Sequence, residues 1–274
     1  MFSHKFFFLF IGLSVNWTVN AYGGQNVDER PRYHVDILKL TDDGYLEHLC
    51  NGAILDRNHI ITVAHCVHEL EFDQVRIRSG SDIAPPVNMP HHEKRLFHRV
   101  QKVMYPVNYV PLPCRDHEHD IAILKVDRAF DLAFDELYKQ VNLPELSNDY
   151  EGYNALISVH VNGELSTFDA DVISNEECTK NATSMVTRGN LCAVVPESFN
   201  ATSGAPLVYD DTLIGFMNAP SKCDTHPLIK RQFPCIKQSA TLKMFTRITS
   251  YLEFIWKVIN GEASAEITTR SLFH

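Results

Sequence analysis

Along most of the chain, apolar and polar positions alternate over short runs, the period of two that suits half-buried strands. The runs "YHVDILKL" (33–40), "GAILDRNHIITVAHCV" (52–67), "QVRIRSGS" (74–81), "IAILKVD" (121–127), "NALISVHVN" (154–162) and "APLVYDDTLIGFM" (205–217) are rich in β-branched and aromatic residues. Turn-forming residues interrupt them every eight to fifteen positions. A helical period emerges once, in "SYLEFIWKVIN" (250–260), where Leu252, Ile255, Val258 and Ile259 share one face. Ser250 and Glu253 read as a capping box there, and Gly261 as the stop. Residues 262–274 are polar and aperiodic and read as a fraying C-terminal tail. The pattern predicts an all-β protein with one C-terminal helix.

The start of the chain departs from this pattern. Lys5 precedes "FFFLFIGLSV", a largely apolar run of ten, and Val19-Asn20-Ala21 places small or branched residues where signal peptidase cuts. Residues 1–21 therefore read as a signal peptide, with the mature chain starting near Tyr22. The run is short of the roughly 20 residues a membrane span needs. The remaining chain, roughly 250 residues, suffices for one large domain or two small ones sharing a core. A formal charge of −9 disfavours nucleic acid as a partner. Seven cysteines, at 50, 66, 114, 178, 192, 223 and 235, imply disulfides in a secreted protein with one thiol left over. Spacing alone leaves their pairing open.

Three motifs then fall into order. "ITVAHC" (61–66) ends a strand with His65, "HDIAILKV" (119–126) begins one with Asp120, and "TSGAPLV" (202–208) carries Ser203. Each motif alone is weak, because a histidine beside a cysteine is more often structural. Together they give the chain order His, Asp, Ser of one of the known catalytic triads. On these residues the chain resembles the trypsin-like serine proteases, from 22 to about 259. "HLCNGAILDRNHIITVAHC", "VISNEEC" with "NLC", and "MFTRITSYLEFI" extend the resemblance on both sides of the triad. It implies two antiparallel six-stranded β-barrels, roughly 22–135 and 136–248, within a domain of 22–261 and with the site in the cleft between them. It also implies disulfides Cys50–Cys66 and Cys178–Cys192. The implied chemistry is acyl transfer: Ser203 attacks a peptide carbonyl, His65 shuttles the proton, and Asp120 fixes the tautomer of His65 and stabilises its charged form.

The departures from the family are concentrated around the serine. The family's Gly-Asp-Ser-Gly-Gly-Pro is here Ala201-Thr202-Ser203-Gly204-Ala205-Pro206. Ala201 occupies a position where a glycine offers its N–H to the oxyanion. Thr202 replaces the aspartate that pairs with a newly freed N-terminus, and Tyr22-Gly23-Gly24, after Asn20-Ala21, replaces the branched residue released by cleavage after a basic one. Both halves of that activation switch are changed, which removes the penalty of leaving either buried charge alone. Asn218-Ala219-Pro220 stands where the family presents Ser-Trp-Gly to substrate backbone, and a proline has no N–H to donate. Phe199 replaces a family cysteine, so Cys223 loses that partner and is expected to pair with Cys235 instead; a bridge to Cys114 is the alternative. Glu197, six residues before Ser203, reads equally as an acid at the base of a specificity pocket or as a surface glutamate.

Two sequons, at Asn181 and Asn200, permit glycosylation, the second directly beside the nucleophile. His117 and His119 sit one residue apart on a loop, a spacing that matches no recognised metal motif. No metal or cofactor is expected. Three readings are then open. The first is a severely impaired or non-catalytic homologue that binds a protein (a protease, substrate or inhibitor) through the old cleft. The second is a serine endopeptidase that needs no zymogen cleavage, and the third is a secreted β protein whose partner binds elsewhere.

Overall fold

The computed structural model describes residues 30–80, 97–111, 118–133, 137–161, 164–182, 186–199, 202–218, 241–262 and 267–271. The first six strands are β1 (His34–Leu40), β2 (Leu46–Ile54), β3 (His59–Thr62), β4 (Val75–Ser79), β5 (Phe97–Pro106) and β6 (Ala122–Val126). They pair antiparallel in the order β5-β4-β1-β2-β3-β6, and a β5–β6 pairing closes the ring. A second closed barrel runs β10-β11-β12-β9-β8-β7. Its strands are β7 (Asn154–Val161), β8 (Glu164–Ile173), β9 (Asn190–Val194), β10 (Pro206–Tyr209), β11 (Thr212–Met217) and β12 (Leu242–Arg247). Two six-stranded antiparallel barrels are the architecture the triad motifs implied.

Closure removes sheet edges, which explains how strands as short as β3 and β10 persist. β5 serves three neighbours. Its start pairs with β4, its middle with β6 past a register shift at Val100–Lys102, and its end with a thirteenth strand, β13 (Ile267–Ser271). That strand corrects the expectation of a fraying tail. Ile267, Thr268 and Thr269 are β-branched and suit a strand, but both faces are only half-buried, so no apolar alternation marks it. Arg270 anchors it, lying 5.4 Å above the Phe72 ring and donating to the His68 carbonyl.

Two of the long apolar runs are each more than one element. The 205–217 run is the β10–β11 hairpin, turned by Asp210 and Asp211 at φ of 46° and 60°. Short polar side chains tolerate that left-handed pair, which matches the twist of a tight hairpin. Within 52–67, the Asp56 carboxylate accepts the N–H groups of Asn58 and His59 at 2.7 and 2.8 Å, turning β2 into β3.

The C-terminal helix α2 (Leu252–Ile259) buries Leu252, Ile255 and Val258, as its periodicity requires. Its capping box does not form. A 3₁₀ turn, Ile248–Tyr251, leads into the helix and makes Tyr251 the cap residue. Ser250 then donates to the Arg188 carbonyl, and Glu253 pairs with Lys257 at 2.7 Å. The far end does stop at Gly261 (φ +71°), where Gly261 and Glu262 donate back to Val258 and Lys257. One short helix escaped the periodicity altogether: α1 (Asn175–Asn181), capped by Ser174 accepting from Glu177 N–H at 3.0 Å.

One apolar core fills the first barrel and takes in Val208, Leu213 and Phe216 of the second, together with α2. Leu207, Ile214 and Phe245 face the second barrel's own core. The β10–β11 hairpin therefore packs on both sides, which fixes the turn just before β10 against the first barrel.

Candidate active site

β3 and β6 are paired to their ends, Thr62 opposite Ala122, so the residues just beyond those ends face each other. Past β3, the 3₁₀ turn Ala64–Cys66 presents His65. Cys66 is bridged to Cys50 on β2, which holds that turn to the sheet. On the opposite side, His119 takes a left-handed φ of 58°, and the Ile121 N–H closes a tight turn onto its carbonyl. Asn108 and Tyr251 hold the His119 ring.

That turn aims Asp120 inward. The carboxylate is fully buried and serves His65 twice: Oδ1 accepts the backbone N–H at 2.8 Å, and Oδ2 meets Nδ1 at 2.6 Å. With Nδ1 donating, Nε2 carries the lone pair of a general base. Thr246 on β12 donates to the Asp120 carbonyl at 3.1 Å, tying the pair to the second barrel. Burial pushes the nearby Tyr251 hydroxyl up to about 12, so it stays a neutral neighbour.

Ser203 lies on the turn before β10, and Asn51 of β2 controls that turn. The Asn51 N–H donates to the Ser203 carbonyl at 2.9 Å, and its side-chain amide reaches the same carbonyl at 3.1 Å and Thr202 Oγ1 at 3.0 Å. Gly204 follows at φ +74°, and a Cβ there would stand 2.2 Å from the Asn51 carbonyl oxygen. Only glycine fits so close an approach. Because Asn51 adjoins Cys50, whose disulfide holds Cys66 next to His65, a short chain of bonds runs from the histidine's turn to the serine's.

Asn51 is the residue sequence reasoning overlooked. Its signal was a polar amide in the middle of a strand, where asparagine is disfavoured unless its side chain has partners. Thr202, expected only to lack a charge, has a positive role as the acceptor of that amide.

Asn218 follows β11 and is buried, its N–H on the Met244 carbonyl at 3.1 Å. Glu197 is exposed on the turn closed by the Phe199 N–H to the Pro196 carbonyl. Asn181 is exposed at the end of α1, its side-chain amide on the Glu177 carbonyl. Cys178 and Cys192 are bridged, fastening α1 to β9. Tyr22, Asn200, Ala201, Ala219, Pro220, Cys223, Cys235, Cys114, His117 and the signal-peptide segment lie outside the described residues. No helix among the described residues is long and apolar enough to cross a membrane.

The family model described as Trypsin matches residues 21–233. Hypodermin-A of Hypoderma lineatum is 28% identical over 199 residues, covering 68% of this chain and 72% of its own. A venom protease of Bombus pensylvanicus is 28% identical over 229 residues, covering 74% of this chain and 83% of its own. Among solved structures, the scabies mite inactivated protease paralogue S-D1 superposes with a TM-score of 0.67 at 21% identity, covering 88% of this chain and 97% of that one.

Proposed function

Since the chain belongs to the trypsin family, we propose that it is a secreted, catalytically impaired serine protease homologue that binds a protein partner through the cleft between its barrels. The observation that carries this reading is the Thr202 hydroxyl, held by the Asn51 amide at 3.0 Å. In the family this position is an aspartate that a freed N-terminal ammonium pulls into place, shaping the oxyanion hole. Here the turn is held by a neutral hydrogen bond, worth about 1 kcal/mol, with no charge for an ammonium to find. The switch has been replaced by a fixed tie. Ala201 at the oxyanion position and Pro220 at the substrate edge weaken two further, separate steps.

Losing one oxyanion donor costs an enzyme roughly 10²–10³ in turnover, so the mature protein should hydrolyse peptide amides at least about a thousandfold more slowly than an ordinary trypsin-like enzyme. The test assays it on a broad peptide library with Ser203→Ala as control, and in parallel measures binding of both forms to the peptides and to protease inhibitors. The reading requires binding that survives Ser203→Ala, and little Ser203-dependent cleavage.

A second reading, an endopeptidase that needs no zymogen cleavage, is favoured by the intact His65–Asp120 pair at 2.6 Å. Asn51 also holds the serine's turn without any ammonium. Rapid, Ser203-dependent cleavage by protein that begins near Tyr22 would put this reading first.

A further inference from the structure

Away from the triad, three imidazoles surround one buried carboxylate oxygen. Asp36 Oδ1 lies 2.9 Å from His160 Nδ1, 3.6 Å from His48 Nε2 and 3.9 Å from His34 Nε2. These residues come from β1, β2 and β7, hence from both barrels. The side chains of His34, Asp36 and His160 are 1%, 3% and 8% exposed, against 32% for His48, so the cluster is closed on three sides and open at one rim.

The obvious explanation, imidazoles as counter-ions to a buried acid, is already supplied by another group. Arg78, itself buried, donates Nε and Nη2 to Asp36 Oδ2 at 2.9 and 2.7 Å. These two bonds converge on one oxygen, neutralise the carboxylate and leave Oδ1 facing the histidines. Asp36 Oδ1, His34 Nε2 and His160 Nδ1 are buried without a hydrogen-bond partner among the described residues. The close approach of His160 to Asp36 does not have hydrogen-bond geometry. A buried polar atom without a hydrogen-bond partner is costly unless something binds it.

We propose that His34, Asp36 and His160, with His48 as the fourth and exchangeable ligand, form a site for a zinc-class divalent cation that clamps the two barrels together. A tetrahedral zinc with ligands near 2.0–2.1 Å has ligand atoms about 3.3 Å apart, and the three separations from Oδ1 bracket that value. Ligand atoms of His34, Asp36 and His160 all lie within 4.8 Å of one another. Three nitrogens and one oxygen suit zinc or its neighbours and not calcium or magnesium.

Two of the ligands, His34 and Asp36, have the outer contacts a metal site needs. Ser158 Oγ meets His34 Nδ1 at 2.9 Å, which orients the ring with Nε2 toward the cluster, and Arg78 orients the carboxylate. The half-exposed His48 gives the entry path. His48 Nε2 also meets Asn51 Oδ1 at 3.2 Å. When His48 turns to the metal it releases Asn51, whose amide holds Thr202 and Ser203, so occupancy here reaches the nucleophile's turn.

The experiment uses the full mature chain, stripped with a chelator and titrated with zinc chloride alone. Calorimetry should show one tight equivalent per chain, raised thermal stability, and a tetrahedral d–d spectrum when cobalt(II) replaces zinc. His160→Gln should weaken binding at least about a hundredfold, since even outer-shell losses cost 10–100-fold. Should His160→Gln fail to fold, His48→Asn at the open rim gives a milder loss of affinity in folded protein. His91→Ala, His92→Ala and His117→Ala, which remove histidines elsewhere in the chain, should leave binding unchanged. No zinc uptake, or uptake that folded His160→Gln and His48→Asn retain in full, overturns the proposal.

Discussion

The two halves of the candidate active site differ in how they are held. The base half, His65 with Asp120, belongs to the ends of two paired first-barrel strands and is built around a fully buried carboxylate. Asp120 serves the histidine's backbone as well as its ring. Exchanging it would leave a part-buried N–H without its acceptor, so folding as well as catalysis favours this half. The nucleophile half, Thr202 to Gly204, is a turn held by Asn51. Its parts are neutral and exchangeable, except for Gly204. A histidine–aspartate pair is therefore weak evidence of activity when it is also part of the scaffold.

The comparison can be broken at either half. The largest effect is expected from Gly204→Ala. A Cβ 2.2 Å from a backbone oxygen, at φ +74°, cannot be relieved by a side-chain rotation. A loss of about 3 kcal/mol of unfolding free energy, with the midpoint shifted in a denaturant titration, is the expected result. Asp120→Ala comes next, at about 2 kcal/mol, because the His65 N–H loses its acceptor. Asp120→Asn, which keeps an acceptor oxygen, should recover part of that loss in the same titration.

Asn51→Ala should cost about 1–2 kcal/mol, for two amide bonds and a truncated buried side chain. Thr202→Val removes one of those bonds. A double-mutant cycle of the two should show a coupling of about 0.5–1 kcal/mol, whereas none would mean that Thr202 is held by something else. The smallest effect should be the activity gained by Thr202→Asp. It supplies the acid but neither the matching N-terminus nor the oxyanion glycine, so turnover on a peptide ester should stay at the level of the parent.

Much of this was legible in the chain. His65, Asp120 and Ser203 could be named from three motifs in chain order, the strands from period-two patterning with turns between, and the two barrels from the family resemblance those motifs carry. β13 was invisible because a strand half-buried on both faces has no alternation to read. The capping box misled because a 3₁₀ turn moved the helix start by one residue, a shift that sequence spacing does not encode. Asn51 and the Asp36 cluster were hidden for another reason. Their partners are far away in sequence, Asn51 to Thr202 and His34 to Ser158, and only barrel closure brings them together.

Labelling with a fluorophosphonate probe asks whether Ser203 keeps its place but has lost its reactivity. The rate is measured on mature protein, before and after trypsin treatment, against an ordinary trypsin-like enzyme. The expected rate is at least about a thousandfold lower, unchanged by trypsin and abolished by Ser203→Ala. Ser203 labelling at an ordinary rate, or a jump in rate once a basic site is cut, would contradict it.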